Sequence, residues 1–195
     1  MNSENEKVLE RLKRGNEDFV RNDQNAGDVS LAVRQRTAKD GQHPYAIIIT
    51  CSDSRVMPEA IFSAGIGELF VIRVAGNVLD HHQLGSIEYA FSHLDANVIV
   101  MLGHTGCGAI AAAQHSHGEV ADSLPDKFIK YIIEDITEAI GSETDDYKAT
   151  VLNVKHGVNI IRNAFHDHPD IEDGELDVLG AVYDIETGAV TWIER

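Results

Sequence analysis

Apolar residues along the chain follow two patterns, and the order of these patterns predicts the fold. Three short runs rich in isoleucine and valine are typical of buried strands: residues 45–50, 69–74 and 97–102. Helical spacing of apolar residues appears at 86–94, 108–114, 128–140 and 151–165. Residues 176–185 and 189–193 predict two last strands around a tight turn. Strands that alternate with helices indicate an α/β fold, with a mainly parallel central β-sheet flanked by helices and a carboxyl-terminal hairpin.

Two amphipathic helices are predicted before the first strand. Val8, Leu9, Leu12 and Phe19 recur at roughly helical spacing among charged residues, and a second helix begins near Leu31 and ends before residue 41. Such helices pack either on their own core or on a partner subunit. The chain shows no repeat, linker or low-complexity tract, so we expect one domain over residues 1–195.

The charge balance limits the classes of partner. Thirty-two acidic residues against sixteen basic ones give a formal net charge of -16, which disfavours nucleic acid and anionic membranes. Neither a signal segment nor a run of about 18 apolar residues is present, so we expect no membrane association and a cytoplasmic location. The chain has only two cysteines, too few for the disulfide framework of a small secreted domain.

Both cysteines lie in short motifs that carry metal-binding chemistry. Cys51 opens the segment Cys-Ser-Asp-Ser-Arg after the first predicted strand, and His104 opens the segment His-Thr-Gly-Cys-Gly after the third. Residues at the carboxyl ends of parallel strands meet at one edge of the sheet, so Cys51, His104 and Cys107 are expected to converge. Two thiolates and one imidazole are a zinc donor set, and three protein ligands leave a fourth position open for a reactive water.

Asp53 and Arg55 add a carboxylate and a guanidinium beside the first thiolate. Two thiolates cancel the charge of zinc, and Arg55 offsets the negative charge that a bound hydroxide adds. Asp53, oriented by Arg55, accepts a hydrogen bond from the zinc-bound hydroxide; alternatively, Asp53 binds the metal as a fourth ligand in a closed state. We expect Arg73, on the second strand, to be a structural charge. His81 and His82 are either proton shuttles at a pocket mouth or solvated surface residues.

The chain resembles the β-class carbonic anhydrases in both motifs and in the stretches 69–77, 86–90 and 103–108. The resemblance implies that Cys51, His104 and Cys107 bind one zinc ion per chain and that Asp53 and Arg55 orient the hydroxide. It implies reversible hydration of carbon dioxide to bicarbonate and a proton. The implied pocket is lined partly by the neighbouring subunit, through residues that correspond to Gln42, Phe70, Tyr89 and Gly108.

The resemblance also implies a homodimer, or a dimer of dimers, in which residues 1–40 form a helical arm that packs on the partner subunit. Relatives that are inhibited by bicarbonate carry a tryptophan three positions before the first cysteine, where this chain has Ile48. We therefore expect no bicarbonate gating. Two alternative functions remain: hydrolysis of carbon disulfide or carbonyl sulfide at the same site, and a redox sensor in which Cys51 and Cys107 form a reversible disulfide.

Overall fold

The computed structural model describes residues 1–21, 27–116, 127–168 and 175–193. Within these ranges the helices are α1 (Ser3–Val20), α2 (Leu31–Asp40), α3 (Pro58–Ile61), α4 (His81–Leu94), α5 (Gly108–Ser116), α6 (Ile129–Ile140) and α7 (Asp146–Ala164). The strands are β1 (Ala46–Thr50), β2 (Leu69–Arg73), β3 (Val98–His104), β4 (Asp177–Tyr183) and β5 (Val190–Ile193). None of the described helices is long and apolar enough to cross a membrane.

The strands form one five-stranded sheet in the order β2-β1-β3-β4-β5. The first four strands are parallel, and β5 pairs with β4 as an antiparallel hairpin. The predicted mainly parallel sheet is confirmed. Isoleucine-rich β1 is buried along its whole length because it lies inside the sheet and has helices on both faces.

Two boundaries and one short helix differ from the sequence predictions. Strand β3 continues through Gly103 to His104. Neither of these two residues is strongly apolar, but they pair with Val182 and Tyr183 of β4. Helix α4 begins at His81 rather than near 86, because Asp80 and Gln83 form a capping box at its start. Helix α3 was not predicted, since four residues are too few to show a helical period.

Helix α1 packs on the sheet of its own chain. Leu12 is fully buried in the core cluster between α1 and one face of the sheet. The backbone of Gly15 lies against the carbonyl of Phe62, so closely that a β-carbon on residue 15 would collide with this carbonyl. The buried Asn16 side chain donates to the carbonyl oxygen of Gly188 (2.8 Å) and accepts from the amide of Val190 (2.9 Å). These contacts of α1 are made within its own chain, and packing of residues 1–40 on a partner subunit stays a prediction. Helix α2 buries Val33 alone.

The opposite face of the sheet is covered by α4 and α7, while α5 and α6 pack over the end of the sheet that holds the two cysteines. Ile133, Ile136 and Ile140 of α6 are buried as predicted. Phe128 is an exception, because it lies just before the first turn of α6 and is 71% exposed. The predicted apolar stripe therefore starts later than the sequence pattern indicates.

Candidate metal centre

Three donor side chains converge at the carboxyl edge of the sheet. Cys51 directly follows β1, His104 ends β3, and Cys107 lies immediately before α5. One ligand atom from each lies within 4.8 Å of the other two, and all three residues are buried. The predicted convergence is confirmed by this geometry.

Local structure explains how residues more than 50 positions apart meet. Strands β1 and β3 are neighbours, and the turn after His104 is held by β4 through the bond from the Thr105 amide to the Tyr183 carbonyl (3.0 Å). Gly106 then adopts a left-handed conformation (φ 64°), which glycine accepts without a steric penalty and which returns the chain towards the site at Cys107. The turn therefore places two donors, His104 and Cys107, on the same side.

The two sulfur atoms lie within 4.8 Å of each other, and their interaction moves the two thiol pKa values in opposite directions. The neighbouring Cys107 thiol lowers the pKa of the Cys51 thiol, and the amide of Gly76, 3.3 Å from Sγ, lowers it further. The resulting thiolate and burial raise the pKa of Cys107, while the amides of Ala109 and Ile110 at the start of α5 act in the opposite direction. A metal cation bound by both sulfurs favours the thiolate form of each, because metal binding releases the thiol protons.

His104 offers the metal an unpartnered nitrogen. Its Nδ1 lies 3.0 Å from the Thr105 carbonyl oxygen, a contact that requires the proton to be on Nδ1. Its Nε2 is buried and has no hydrogen-bond partner among the described residues. A buried ring nitrogen with a free lone pair, fixed by a carbonyl at the other nitrogen, is the usual arrangement of a metal-binding histidine. The donors present therefore fit zinc.

Asp53 and Arg55 form a two-pronged ion pair beside the cluster. Arg55 Nε donates to Asp53 Oδ1 (2.9 Å) and its terminal nitrogen donates to Oδ2 (2.7 Å), while the Arg55 amide also donates to Oδ1 (2.9 Å). The hydrogen bonds from Arg55 hold the pKa of Asp53 well below its usual range. Asp53 does not belong to the group of converging donors, so its carboxylate is engaged by Arg55 and not by the metal position.

Arg73 supports the backbone that carries the first motif. Its Nε donates to the carbonyl oxygen of Cys51 (3.2 Å), and its terminal nitrogen donates to the carbonyl oxygen of Asp53 (2.7 Å). One side chain thereby fixes both ends of the Cys-Ser-Asp segment. This agrees with the structural role that the sequence suggested, and it adds the identity of the groups that Arg73 holds.

The residues assigned to the substrate pocket lie in different places. Gly108 begins α5 beside Cys107, and no atom lies within 4 Å of the point where a β-carbon would be, so this side of the cluster is open. Gln42 lies near Gly67, at the amino ends of β1 and β2. Phe70 of β2 packs against Tyr89 of α4 (6.1 Å between ring centres).

Gln42 is separated from Cys51 by the full length of β1, about 16 Å for five residues. The chain therefore does not bring its own Gln42 to its own cluster. His81 and His82 are exposed at the start of α4, and neither belongs to the donor group.

Sequence reasoning assigned no role to Gly76 or Asn153. The position of Gly76 could have indicated a role, because this residue follows β2 at the same edge of the sheet as the cysteines. The sequence did not indicate a role for Asn153, because helical spacing alone does not distinguish a buried asparagine from an exposed one. It donates from Nδ2 to the Gly76 carbonyl oxygen (2.9 Å).

Comparison with known proteins gives the family. A family model described as carbonic anhydrase matches residues 46–190. Carbonic anhydrase 2 of Mycobacterium tuberculosis (strain CDC 1551 / Oshkosh) is 34% identical over 184 residues, covering 91% of this chain and 87% of that protein. The carbonic anhydrase of Mycolicibacterium smegmatis is 37% identical over 153 residues, covering 73% of this chain and 71% of that protein.

Solved structures agree in fold. The β-carbonic anhydrase CafA of Aspergillus fumigatus superposes with a TM-score of 0.65 at 26% identity, over 84% of this chain and 81% of that one. A β-carbonic anhydrase of Coccomyxa, solved with acetazolamide, gives 0.64 at 27% identity, over 84% and 80% of the two chains. Zinc is the metal of this class, and the Cys51, His104 and Cys107 donors match its preference. The chain belongs to the β-class carbonic anhydrases.

Proposed function

We propose that this chain catalyses the reversible hydration of carbon dioxide to bicarbonate and a proton. The observation that carries the proposal is the convergence of three zinc donors within 4.8 Å of one another, with an ionised Asp53 held beside them by Arg55. When zinc is bound, it supplies a hydroxide nucleophile near neutral pH. Membership of the carbonic anhydrase family supports the choice of carbon dioxide as substrate.

We propose that Asp53 orients the nucleophile. Because Arg55 keeps its pKa low, Asp53 stays ionised at neutral pH and only accepts hydrogen bonds. The hydroxide that zinc supplies can therefore approach Asp53 only with its hydrogen. This orientation directs an oxygen lone pair away from the carboxylate and towards the substrate. The bonds from Arg55 fix the direction of the carboxylate and oppose its movement to the metal, which favours the open state over the closed one.

The experiment is stopped-flow hydration of carbon dioxide by protein whose zinc content has been measured. We expect one zinc per chain, and we expect Cys107→Ser to lose zinc and activity together because a hydroxyl is a far poorer zinc ligand than a thiolate. Freshly purified, reduced protein that has little zinc and gains none on incubation would contradict the assignment. The same assay with carbon disulfide and carbonyl sulfide separates the related hydrolase function.

A redox sensor based on Cys51 and Cys107 makes a different prediction. It requires a reversible disulfide whose formation changes a property other than zinc content, and it requires neither His104 nor the Asp53–Arg55 pair. The unpartnered Nε2 of His104 favours the metal enzyme.

We also propose that the protein is located in the cytoplasm. The two cysteines are free and buried, which fits the reducing conditions there.

We also propose that the active unit is at least a homodimer, as a pair or as a dimer of dimers. Gln42, Phe70 and Tyr89 lie away from the metal donors of their own chain, and Tyr89 is 47% exposed. Strand β2 is at the edge of the sheet, where a second copy has access to it. The two β-carbonic anhydrases of Sordaria macrospora that share this fold are described as tetrameric, with a TM-score of 0.64. A second copy would bring Gln42, Phe70 and Tyr89 to the pocket.

A further inference from the structure

The turn after β2 holds a second contact to the metal centre. Residues Ala75–Asn77 form a 3-10 turn in which Gly76 (φ 68°) and Asn77 (φ 45°) both adopt left-handed conformations. Asparagine takes this conformation at some cost, so two consecutive left-handed residues require outside support. The amide of Gly76 in this turn donates to Cys51 Sγ at 3.3 Å.

Part of that support comes from α7. The Asn153 side chain is 5% exposed, and its Nδ2 donates to the Gly76 carbonyl oxygen at 2.9 Å. The other side of Gly76 faces α6, where an added β-carbon would lie 2.6 Å from Ile136 Cδ1. Gly76 has no side chain to restrict its rotation, so the bond from Asn153 to its carbonyl helps to fix the backbone conformation that directs its amide at the sulfur.

We propose that Asn153 is a positioning residue for the zinc-binding sulfur of Cys51, acting through the backbone of Gly76. By holding the Gly76 carbonyl, Asn153 keeps the Gly76 N–H directed at the sulfur. An N–H group that donates to a thiolate withdraws electron density from it, so the sulfur donates less charge to the metal. Hydrogen-bonded partners of metal ligands commonly change metal affinity or activity by about 10 to 100-fold when they are removed.

The surroundings of Asn153 decide which variant is informative. A cavity of about 200 Å³ lies beside it, lined among others by Asp135, Glu138 and His156. A carboxylate at position 153 would add charge next to Asp135 and Glu138. Asn153→Ser is therefore the main variant, because it is neutral and its hydroxyl is one atom too short to replace the amide. Asn159→Ser is the matched control, since Asn159 is exposed on the same helix and contacts a different part of the chain.

The test measures the metal site without carbon dioxide, so its outcome is independent of the proposed reaction. In cobalt-substituted protein, we expect the sulfur-to-cobalt charge-transfer band of Asn153→Ser to move to lower energy than in the parent, because the sulfur is more electron-rich. Transfer of zinc to a chelator should be about tenfold faster, because the turn at Gly76 no longer holds the sulfur in position. Asn159→Ser should match the parent in both measurements.

A purely structural role for Asn153 predicts a different result. The melting temperature of Asn153→Ser would fall, while its cobalt spectrum and its zinc release would match those of Asn159→Ser, and this outcome would overturn the proposal. If Asn153→Ser does not fold, Asn153→Leu, which is neutral, has the same branching and lacks the amide donor, is measured in the same way. In the zinc-loaded parent, the Gly76 amide should be protected from deuterium exchange, and exchange at the rate of an exposed loop would also overturn the proposal.

Discussion

Asp53 is the residue whose geometry most constrains the mechanism. Both of its oxygens accept hydrogen bonds from Arg55, and its backbone carbonyl accepts one from Arg73. The carboxylate therefore has a fixed direction and a fixed charge. A group of this kind orients a reactant without exchanging a proton with it.

We expect Asp53→Ala to keep its zinc and to lose about 100-fold in turnover, because the donors Cys51, His104 and Cys107 remain while the orienting acceptor is gone. Stopped-flow hydration and metal analysis of the same sample measure both quantities. Asp167→Ala is the control, since the side chain of Asp167 is 97% exposed. Unchanged turnover would contradict the orienting role, and increased binding of small anions would show that Asp53 also closes the site.

At the scale of elements, sequence patterns predicted those parts of the fold that repeat and missed those that depend on distant contacts. The four strands that carry strongly apolar residues were recognisable because burial on both faces demands continuous apolar runs. Helix α3 is too short to have a period, and the contact between Asn153 and Gly76 joins residues 77 positions apart. The zinc donors were predictable because parallel strands end at one edge. The partners that hold them depend on packing between α7 and the sheet.

Helix α1 allows a direct test of its packing. We expect Leu12→Ala to lower the free energy of unfolding by about 3 kcal/mol, because Leu12 is fully buried and its removal leaves a cavity. Denaturant unfolding at several protein concentrations measures this loss, which should not depend on concentration because α1 packs on its own chain. Leu31→Ala, at a side chain that is 60% exposed on α2, should change stability by less than about 0.5 kcal/mol. A loss that appears only at concentrations where the dimer forms would show that α1 packs on a partner.

At the scale of the whole molecule, the proposed pocket depends on two chains. Mixing Gln42→Ala and Cys107→Ser subunits should restore activity that neither variant has alone. In a mixed dimer, the site with an intact Cys107 receives an unaltered Gln42 from its partner. Refolding the two variants together and separately, followed by hydration assays, makes the comparison. Absence of any recovery, with mixed dimers present, would show that Gln42 does not act across the interface.

The pH dependence is also a property of the whole site. Hydration should increase with pH, because hydroxide is the nucleophile and is replaced by water as the pH falls. Asp53 does not contribute to this change near neutral pH, since its pKa is held well below its usual range. Ile48 stands three positions before Cys51, where a tryptophan would indicate inhibition by bicarbonate. Its side chain is fully buried in the sheet core.

We therefore expect a single smooth ionisation in the rate profile, with no cooperative loss of activity when bicarbonate is added. Hydration rates across the pH range, measured with and without bicarbonate, provide the check. A steep, cooperative loss of activity that bicarbonate deepens would show that the inference from Ile48 is wrong.

The contact between α1 and the last hairpin has a consequence for biosynthesis. Asn16 bonds to Gly188 and Val190, and Asn5 bonds to Asp177, so the helix made first binds to the strands made last. A ribosome adds about 5 to 20 residues per second, so α1 waits roughly 10 to 30 seconds for its partner strands. During that time Leu12 and Gly15 already have partners to pack on, because Phe62 and the first strands are made well before the hairpin. The buried side chain of Asn16 gains its hydrogen-bond partners only when the carboxyl-terminal hairpin leaves the ribosome, so the docking of α1 is completed late.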